Sequence, residues 1–218
     1  MAILTHVMSP PDGRPSASAR PSQPEARVQR ADEAPEQALA NAVAAGDLTA
    51  LGQLYDLHQA ATLVFARRLV GEGGAEDLVH DTFLALPKAL QRYQHKSKLR
   101  TFILGVAVNQ ARHRLRSRSR FAQLLSRFAH EPHESQARLH HQSPEQDSEQ
   151  RQLSAMLERA LQSLSFEHRT AFVLCEIEER TSPEVAELLG IPEATVRTRL
   201  YHAKRKLRAQ LARENTNG

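Results

Sequence analysis

The chain has 218 residues, with 29 Lys and Arg against 25 Asp and Glu, a formal net charge of +4 and one cysteine, Cys175. A single cysteine excludes an internal disulfide and a cysteine-rich zinc site, and no run approaches the roughly 18 apolar residues of a membrane helix. The start "MAILTHVMSPP" lacks the uninterrupted apolar core of a signal peptide, so we expect a soluble, cytoplasmic protein without direct membrane insertion.

The N-terminal part of the chain divides into an arm and a helical block. Residues 1–35 hold six of the eleven prolines and show no apolar period, which predicts a disordered arm. Leu, Val and Ala then recur every three or four residues, and this predicts two helices divided at Gly46 and Asp47. After the break "GEGG", the stretch "AEDLVHDTFLALPKALQRY" is again helical, and we expect Pro87 to kink this helix or end it early.

The next segment, "LRTFILGVAVNQARHRLRSRSR", predicts a helix that is apolar in its first half and basic in its second. Eight Lys and Arg residues and no acid lie between Lys96 and Arg120. Residues 121–150 collect His, Gln, Ser and Pro, which is typical of a linker, and its histidines lack a regular ligand spacing, so we expect no metal site.

A second folded block starts near Arg151 with two helices divided at Ser165, and continues as "TSPEVAELLGIPEATVRTRLYHAKRKL". Thr181 or Ser182 is suited to cap a first short helix, and Gly190 supplies a left-handed residue for the turn into a second. This pattern predicts a helix-turn-helix.

The second helix of that motif carries its polar side chains off the apolar stripe. There are seven Lys and Arg residues and no acid between Arg197 and Arg213. Such a helix in a major groove can bring its side chains to base edges or phosphates. The candidate DNA-binding residues are Arg197, Thr198, Arg199, Tyr201, His202 and Arg205.

No strand-like alternation occurs along the chain, so we predict an all-α fold of two small helical domains joined by a flexible linker. The predicted boundaries are an arm over 1–35, a first domain over 36–120, a linker over 121–150, a second domain over 151–212 and a tail over 213–218.

Three stretches in order, "GGAEDLVHDTFLALPKAL", "KLRTFILGVAVNQARHRLRSR" and "SLSFEHRTAFVLCEIEERTSPEVAELLGIPEATVRTRLYHAKRKLRAQL", resemble the extracytoplasmic-function group of bacterial sigma-70 sigma factors. The resemblance covers roughly residues 50–120 and 150–212, and it implies a sigma-2-like and a sigma-4-like domain. It further implies an RNA polymerase sigma factor that directs promoter-specific initiation without a cofactor and without catalysis of its own.

The resemblance also implies a role for each charged surface. The helix-turn-helix would read the −35 element, and the sigma-4-like domain would hold the beta flap of the polymerase. Core polymerase would bind through its beta-prime clamp helices to Glu76, Asp77, His80, Asp81 and Phe83. The −10 element would be recognised and opened by Lys96, Lys98, Arg100, Asn109, Arg112 and Arg116. An anti-sigma factor is a further implied partner.

The chain departs from the usual residues of this family in a few places, none of which removes a feature that the mechanism requires. They are Leu86, Pro87, His113, Glu179 and Arg180. Two other classes of protein remain compatible with a basic helix-turn-helix: a self-sufficient dimeric transcriptional regulator, and a scaffold or anti-sigma-like interaction protein that has lost DNA binding.

Overall fold

A computed structural model describes residues 35–128 and 149–216, and every regular element within these ranges is helical. This confirms the all-α prediction. The elements, in chain order, are α1 (35–44), α2 (Leu48–Val70), α3 (Glu72–Leu90), α4 (Leu99–Phe128), α5 (Glu149–Gln162), α6 (Phe166–Phe172) with a π-helical extension (Val173–Ile177), α7 (Ser182–Leu189) and α8 (Glu193–Thr216). The predicted arm and most of the predicted linker lie outside the described residues.

Helices α1–α4 form a first bundle, in which α3 and α4 both pack on α2. The predicted break at residues 46 and 47 is confirmed: Gly46 has a φ of 98°, and Asp47 caps α2 by accepting from the backbone N–H groups of Thr49 (2.8 Å) and Ala50 (3.1 Å). The side chains at the centre of the bundle are fully buried. They include Leu54, Phe65, Leu69, Leu78, Leu86, Ile103 and Leu104.

Helices α5–α8 form a second bundle that contains the helix-turn-helix. Thr181 caps α7 in a capping box, because its hydroxyl accepts from the N–H of Glu184 while the Glu184 carboxylate accepts from the N–H of Thr181. Gly190 adopts φ 63° and ψ 40°, the left-handed conformation predicted for the turn. Ser165 stands at the N-cap of α6 as predicted, but its side chain makes no capping hydrogen bond.

Pro87 does not end helix α3 early: the helix continues through Pro87 to Leu90, since the missing N–H removes one bond in the last turn only. Two boundaries further along the chain differ from those predicted. Helix α4 continues to Phe128, eight residues into the predicted linker, and its sequence there still places Phe121, Leu124, Leu125 and Phe128 at helical spacing. Helix α8 extends to Thr216 and takes in most of the predicted tail.

The two bundles pack directly against each other, which the sequence did not predict. The contact joins α2 to α5 and α6, and α4 to α7. Gln162 and Arg169 reach the carboxyl end of α2, where Arg169 donates to the carbonyl of Leu69 at 2.7 Å and Gln162 donates to the carbonyls of Arg67 and Arg68 at 3.4 Å each. Donors from the second bundle thus satisfy helix-end carbonyls of the first.

Cys175 is half-buried and unpaired, and burial raises the pKa of its thiol to about 11. A thiol with such a pKa stays protonated at neutral pH and is a poor nucleophile. This agrees with the interpretation of Cys175 as a small hydrophobic residue. Within the described ranges, no helix has the length and hydropathy needed to cross a membrane.

Burial of His58 predicts that the fold loses stability in mild acid. The side chain lies 3.9 Å from Glu36 and is 9% exposed, and its pKa is lowered by burial and by Arg100, with Glu36 acting in the opposite direction. The folded chain therefore holds His58 neutral at a pH where the unfolded chain takes up a proton. Stability is complete above the unfolded pKa of about 6.5 and falls as the pH drops below it.

We expect a lower urea midpoint at about pH 5.5 than at about pH 7.5, and a smaller difference in the His58→Gln variant. His80→Gln, which removes an exposed histidine, is the matched control and should keep the wild-type pH dependence. Equal pH dependence in wild type and His58→Gln would contradict this account.

Candidate nucleic-acid interface

Helix α8 exposes four of the six residues predicted to bind DNA there. Its apolar stripe packs inward through Val196, Ala203 and Leu207, which places the opposite face in solvent. Arg197 pairs with Glu193 at 2.5 Å, one turn before it on the same helix. The exposed candidates are Arg197, Thr198, Tyr201 and Arg205. This face has the charge, the length and the freedom from bulky neighbours needed to enter a major groove.

The other two candidates, Arg199 and His202, are half-buried on the side of α8 that faces α6. Arg199 pairs with Glu167 at 2.5 Å, and the His202 ring lies 5.8 Å from that of His168. The pKa of His168 is lowered by burial first, and then by His202 and Arg199. Four of the six predicted DNA-binding residues of α8 are therefore exposed, and the other two pack against α6.

The second basic surface consists of the loop before α4 and one face of α4. Asn109, Arg112 and Arg116 follow one another at helical spacing, and Arg112 donates to the side-chain carbonyl oxygen of Asn109 at 3.4 Å. Lys96, Lys98 and Arg100 lie at the start of the helix. Each of these six predicted residues is exposed except Arg112, which is half-buried.

Aromatic rings order the loop before α4. The Tyr93 ring lies 4.5 Å from the His95 ring and 4.6 Å from the Phe102 ring, and the Tyr93 hydroxyl donates to the Ser97 carbonyl at 2.5 Å. His95 holds a positive φ of 54°. Beside these rings is a cleft of about 280 Å³ lined by Tyr93, His95, Lys96 and Lys98, and also by Glu184 of α7. Rings beside lysines are suited to hold an unstacked base.

Carboxylates from the second bundle lie on this second basic surface, and none of these contacts was predicted from the sequence. Arg100 pairs with Glu178 at 2.7 Å, Arg112 with Glu167 at 3.4 Å and Lys96 with Glu187 at 3.9 Å. The partners are far apart in the chain, and no periodic pattern signals such pairs.

The polymerase-binding candidates of α3 form a surface that is exposed except at Asp81 and Phe83. Glu76, Asp77 and His80 are exposed, and Asp81 is half-buried. Phe83 is 5% exposed and packs edge-to-face on Tyr55 at 4.9 Å, so it belongs to the core and offers no surface to a partner. Leu84 is 66% exposed and shares the helix face of Asp77, His80 and Asp81 at intervals of three and four residues.

Arg114 of α4 holds the acidic surface in place, a role that the sequence did not reveal. Its guanidinium donates to the Asp81 carboxylate, lies 3.4 Å from the Asp77 carboxylate and donates to the Asp77 carbonyl at 3.0 Å. The hydrogen bond to Asp81 is the main reason that the pKa of Arg114 is raised. Arg114 therefore points to α3 and away from the second basic surface.

Comparison with known proteins assigns each bundle to a family of domains. Residues 54–121 match the family model of sigma-70 region 2, and residues 154–207 match that of sigma-70 region 4. The chain is 30% identical to the RNA polymerase sigma factor NccH of Alcaligenes xylosoxydans xylosoxydans, over 83% of this chain and 96% of that protein. The chain belongs to the extracytoplasmic-function group of sigma-70 factors. Its function is that of an RNA polymerase sigma factor.

A second relative agrees with this assignment, and a solved structure shares the fold. The sigma factor is 31% identical to the extracytoplasmic-function RNA polymerase sigma factor SigE of Mycolicibacterium smegmatis, over 79% of this chain and 67% of that protein. Its fold matches that of the sigma factor RpoE of Bartonella quintana, solved in complex with the anti-sigma factor NepR. The TM-score is 0.56 at 22% identity, over 74% of this chain and 96% of that one.

Proposed function

We propose that this sigma factor docks on core RNA polymerase through the exposed acidic face of α3, reads the −35 element with α8 and opens the −10 element with the start and outer face of α4. The observation that carries the proposal is the presence of two basic stretches without an acid, residues 96–120 and 197–213, in two different bundles of one chain, each exposing Arg side chains at helical spacing. Two separate readers fit two separate promoter elements.

At −35, Arg197, Thr198, Tyr201 and Arg205 face outward together and can enter the major groove. Arg197 is the main candidate for base readout, because a guanidinium that pairs with a guanine edge contributes about 1–3 kcal/mol of discrimination. Its neighbour Glu193 orients the guanidinium before DNA binds. Arg205 lies two turns further along and suits a phosphate contact.

At −10, the aromatic loop supplies stacking and α4 supplies charge. A base flipped out of the duplex loses stacking, and rings such as Tyr93 and His95 restore about 1–3 kcal/mol of it. Arg112 and Arg116 neutralise the phosphates of the separated strand. Strand opening then draws on binding energy, and we propose that the protein has no catalytic activity of its own.

The proposed polymerase surface consists of Glu76, Asp77, His80 and Asp81, with Leu84 as an exposed apolar contact in place of the buried Phe83. The partners are the beta-prime clamp helices, with the beta flap on the second bundle. The Bartonella quintana relative in complex with an anti-sigma factor supports an anti-sigma factor as a regulator here too. Such a protein works in the cytoplasm.

The deciding experiment is run-off transcription with core polymerase and promoter DNA from upstream of the gene that encodes this sigma factor. We expect a defined transcript that requires both core enzyme and sigma factor. Arg197→Ala should lower promoter-specific output roughly tenfold, by loss of about 1.4 kcal/mol. Arg208→Ala, an exposed arginine of the same helix outside the proposed set, should leave output near the wild-type value.

The dimeric-regulator alternative gives a different result in gel shifts. A sigma factor of this kind should bind duplex promoter DNA poorly until core polymerase is added, whereas a dimeric regulator binds without it. Tight, core-independent duplex binding together with no run-off product would contradict the proposed function.

A further inference from the structure

Helix α8 carries a single acid beside its many basic residues, and that acid lies in its first turn. Between residues 193 and 213 the sequence has seven Lys and Arg residues but only one carboxylate, that of Glu193. A negative charge on a DNA-binding helix is repelled by phosphates. The start of a helix favours an acid through the helix dipole, but this effect needs no particular contact of the carboxylate.

Glu193 is bound to Arg197, the proposed base reader, and the two side chains form one exposed unit. Nη2 of Arg197 donates to Oε1 of Glu193 at 2.5 Å, across one turn of α8. The Arg197 side chain retains 71% of its accessible surface, and the Glu193 side chain retains 38%. An exposed pair of this kind contributes little to stability. Both groups can therefore contact another molecule without loss of the fold.

A second arginine of α8 is paired in a different way. Arg199 pairs with Glu167 at 2.5 Å, and its side chain retains only 23% of its accessible surface. That acid belongs to α6, so the contact fastens α8 to its own bundle. Glu193 belongs to α8 itself and therefore accompanies Arg197 wherever the exposed face of the helix binds.

The two groups of the exposed pair have opposite requirements at a base edge. A guanidinium only donates, and guanine offers the acceptors N7 and O6 in the major groove, so Arg197 can hold guanine by two hydrogen bonds. A carboxylate only accepts. Glu193 therefore suits the amino group of cytosine (N4) or adenine (N6), and it repels the keto oxygen of thymine (O4) or guanine (O6).

The spacing of the pair matches the spacing of base pairs. Residues four apart on a helix have Cβ atoms about 6 Å apart, whereas stacked base pairs are about 3.4 Å apart. Since the tips of the two side chains meet at 2.5 Å, they can reach adjacent base pairs together. Arg197 also partly neutralises the carboxylate, which weakens its repulsion from the phosphates on either side of the groove.

We propose that Glu193 is a second base-reading residue of α8, which selects a cytosine or adenine in the base pair next to the guanine held by Arg197. The inference rests on the proposed function of α8 at the −35 element. Glu193 accepts from the amino group of the correct base and repels the keto oxygen of the wrong one. It therefore narrows the choice of promoter more than it raises affinity.

Selection from a promoter library tests this role. The −35 element of the promoter upstream of the encoding gene is randomised, holoenzyme made from core polymerase and full-length sigma factor is bound to it, and the bound DNA is sequenced. With wild type we expect guanine at one position and, at an adjacent position, cytosine or adenine roughly tenfold over thymine or guanine.

Glu193→Gln should reduce the preference at the adjacent position to less than about twofold, because a glutamine amide both donates and accepts and so tolerates every base. The preference for guanine should remain in this variant and disappear in Arg197→Ala. Glu179→Gln, which removes an exposed acid elsewhere in the second bundle, is the matched control and should keep both preferences.

A purely structural role of Glu193 at the start of α8 would weaken selection at every position alike. The proposal is overturned by such a uniform loss, and also by a Glu193→Gln profile equal to that of Glu179→Gln. In the second case the wild-type selection would still support the proposed function. Wild-type holoenzyme that selects no base at −35 and gives no core-dependent transcript would overturn the proposed function itself.

Discussion

Replacing Arg169 with alanine is expected to lower the free energy of unfolding by about 3 kcal/mol, a large share of the marginal stability of a small helical protein. Arg169 is 9% exposed, and its guanidinium donates to the carbonyls of Leu69 (2.7 Å), Leu164 (2.9 Å) and Gln162 (3.0 Å), as well as to the Gln162 side chain. Burial lowers the pKa of Arg169 to about 10, so the group remains charged at neutral pH. Its removal leaves several buried carbonyls without a donor.

Urea unfolding followed by circular dichroism measures this loss. Arg159→Ala, an exposed arginine in the preceding helix, is the matched control and should stay within about 0.5 kcal/mol of wild type. Arg169→Lys keeps the charge but cannot span several acceptors at once, so an intermediate loss is expected. If Arg169→Ala unfolds at the same urea concentration as the wild-type protein, these hydrogen bonds contribute nothing to stability.

Charge reversal on α3 is expected to have the largest effect on polymerase binding. We expect Glu76→Lys with Asp77→Lys to weaken binding to core enzyme roughly 100-fold, about 2.8 kcal/mol, because two attractive charges become repulsive toward a basic partner. Both residues are exposed, and the Asp77 side chain retains 75% of its accessible surface beside Arg114. Asp81 is left in place to keep its hydrogen bond to Arg114.

Titration of labelled core polymerase, at two salt concentrations, measures this affinity. Asp56→Lys with Glu179→Lys applies the same change of net charge at exposed positions outside the proposed surface and should bind near the wild-type value. The loss should shrink as salt rises, since screening weakens repulsion between exposed charges. If the two double variants bind core enzyme equally, α3 is not the docking surface.

The placement of the helix-turn-helix could be predicted from the sequence because each of its signals is local. Thr181 caps the helix that directly follows it. Gly190 can adopt the left-handed conformation of the turn because glycine has no Cβ atom. The exposed face of α8 follows from helical spacing, and four of its six candidate residues face solvent as expected. Phe83 follows helical spacing too, because it lies in register with the buried Val79 and Leu86 and packs on Tyr55 as a core residue.

The partners of the charged residues could not be predicted in the same way. Arg100 and Glu178 are separated by 78 positions, and Arg169 and Leu69 by 100. A charge pattern shows that a helix face is basic, but it does not show which acid from elsewhere in the chain will lie against it. Arg114 stands between Arg112 and Arg116 in the sequence, yet it turns to α3.

The helices, the turn at Gly190, the two basic stretches and the family resemblance can be predicted from the amino-acid sequence, because they depend on spacing and on short-range backbone preferences. Tertiary packing alone brings Glu167 and Glu178 onto the second basic surface and Arg169 onto the end of α2. The physical reason is that burial and distance set the strength of a charged contact, and both arise only when the two bundles pack together.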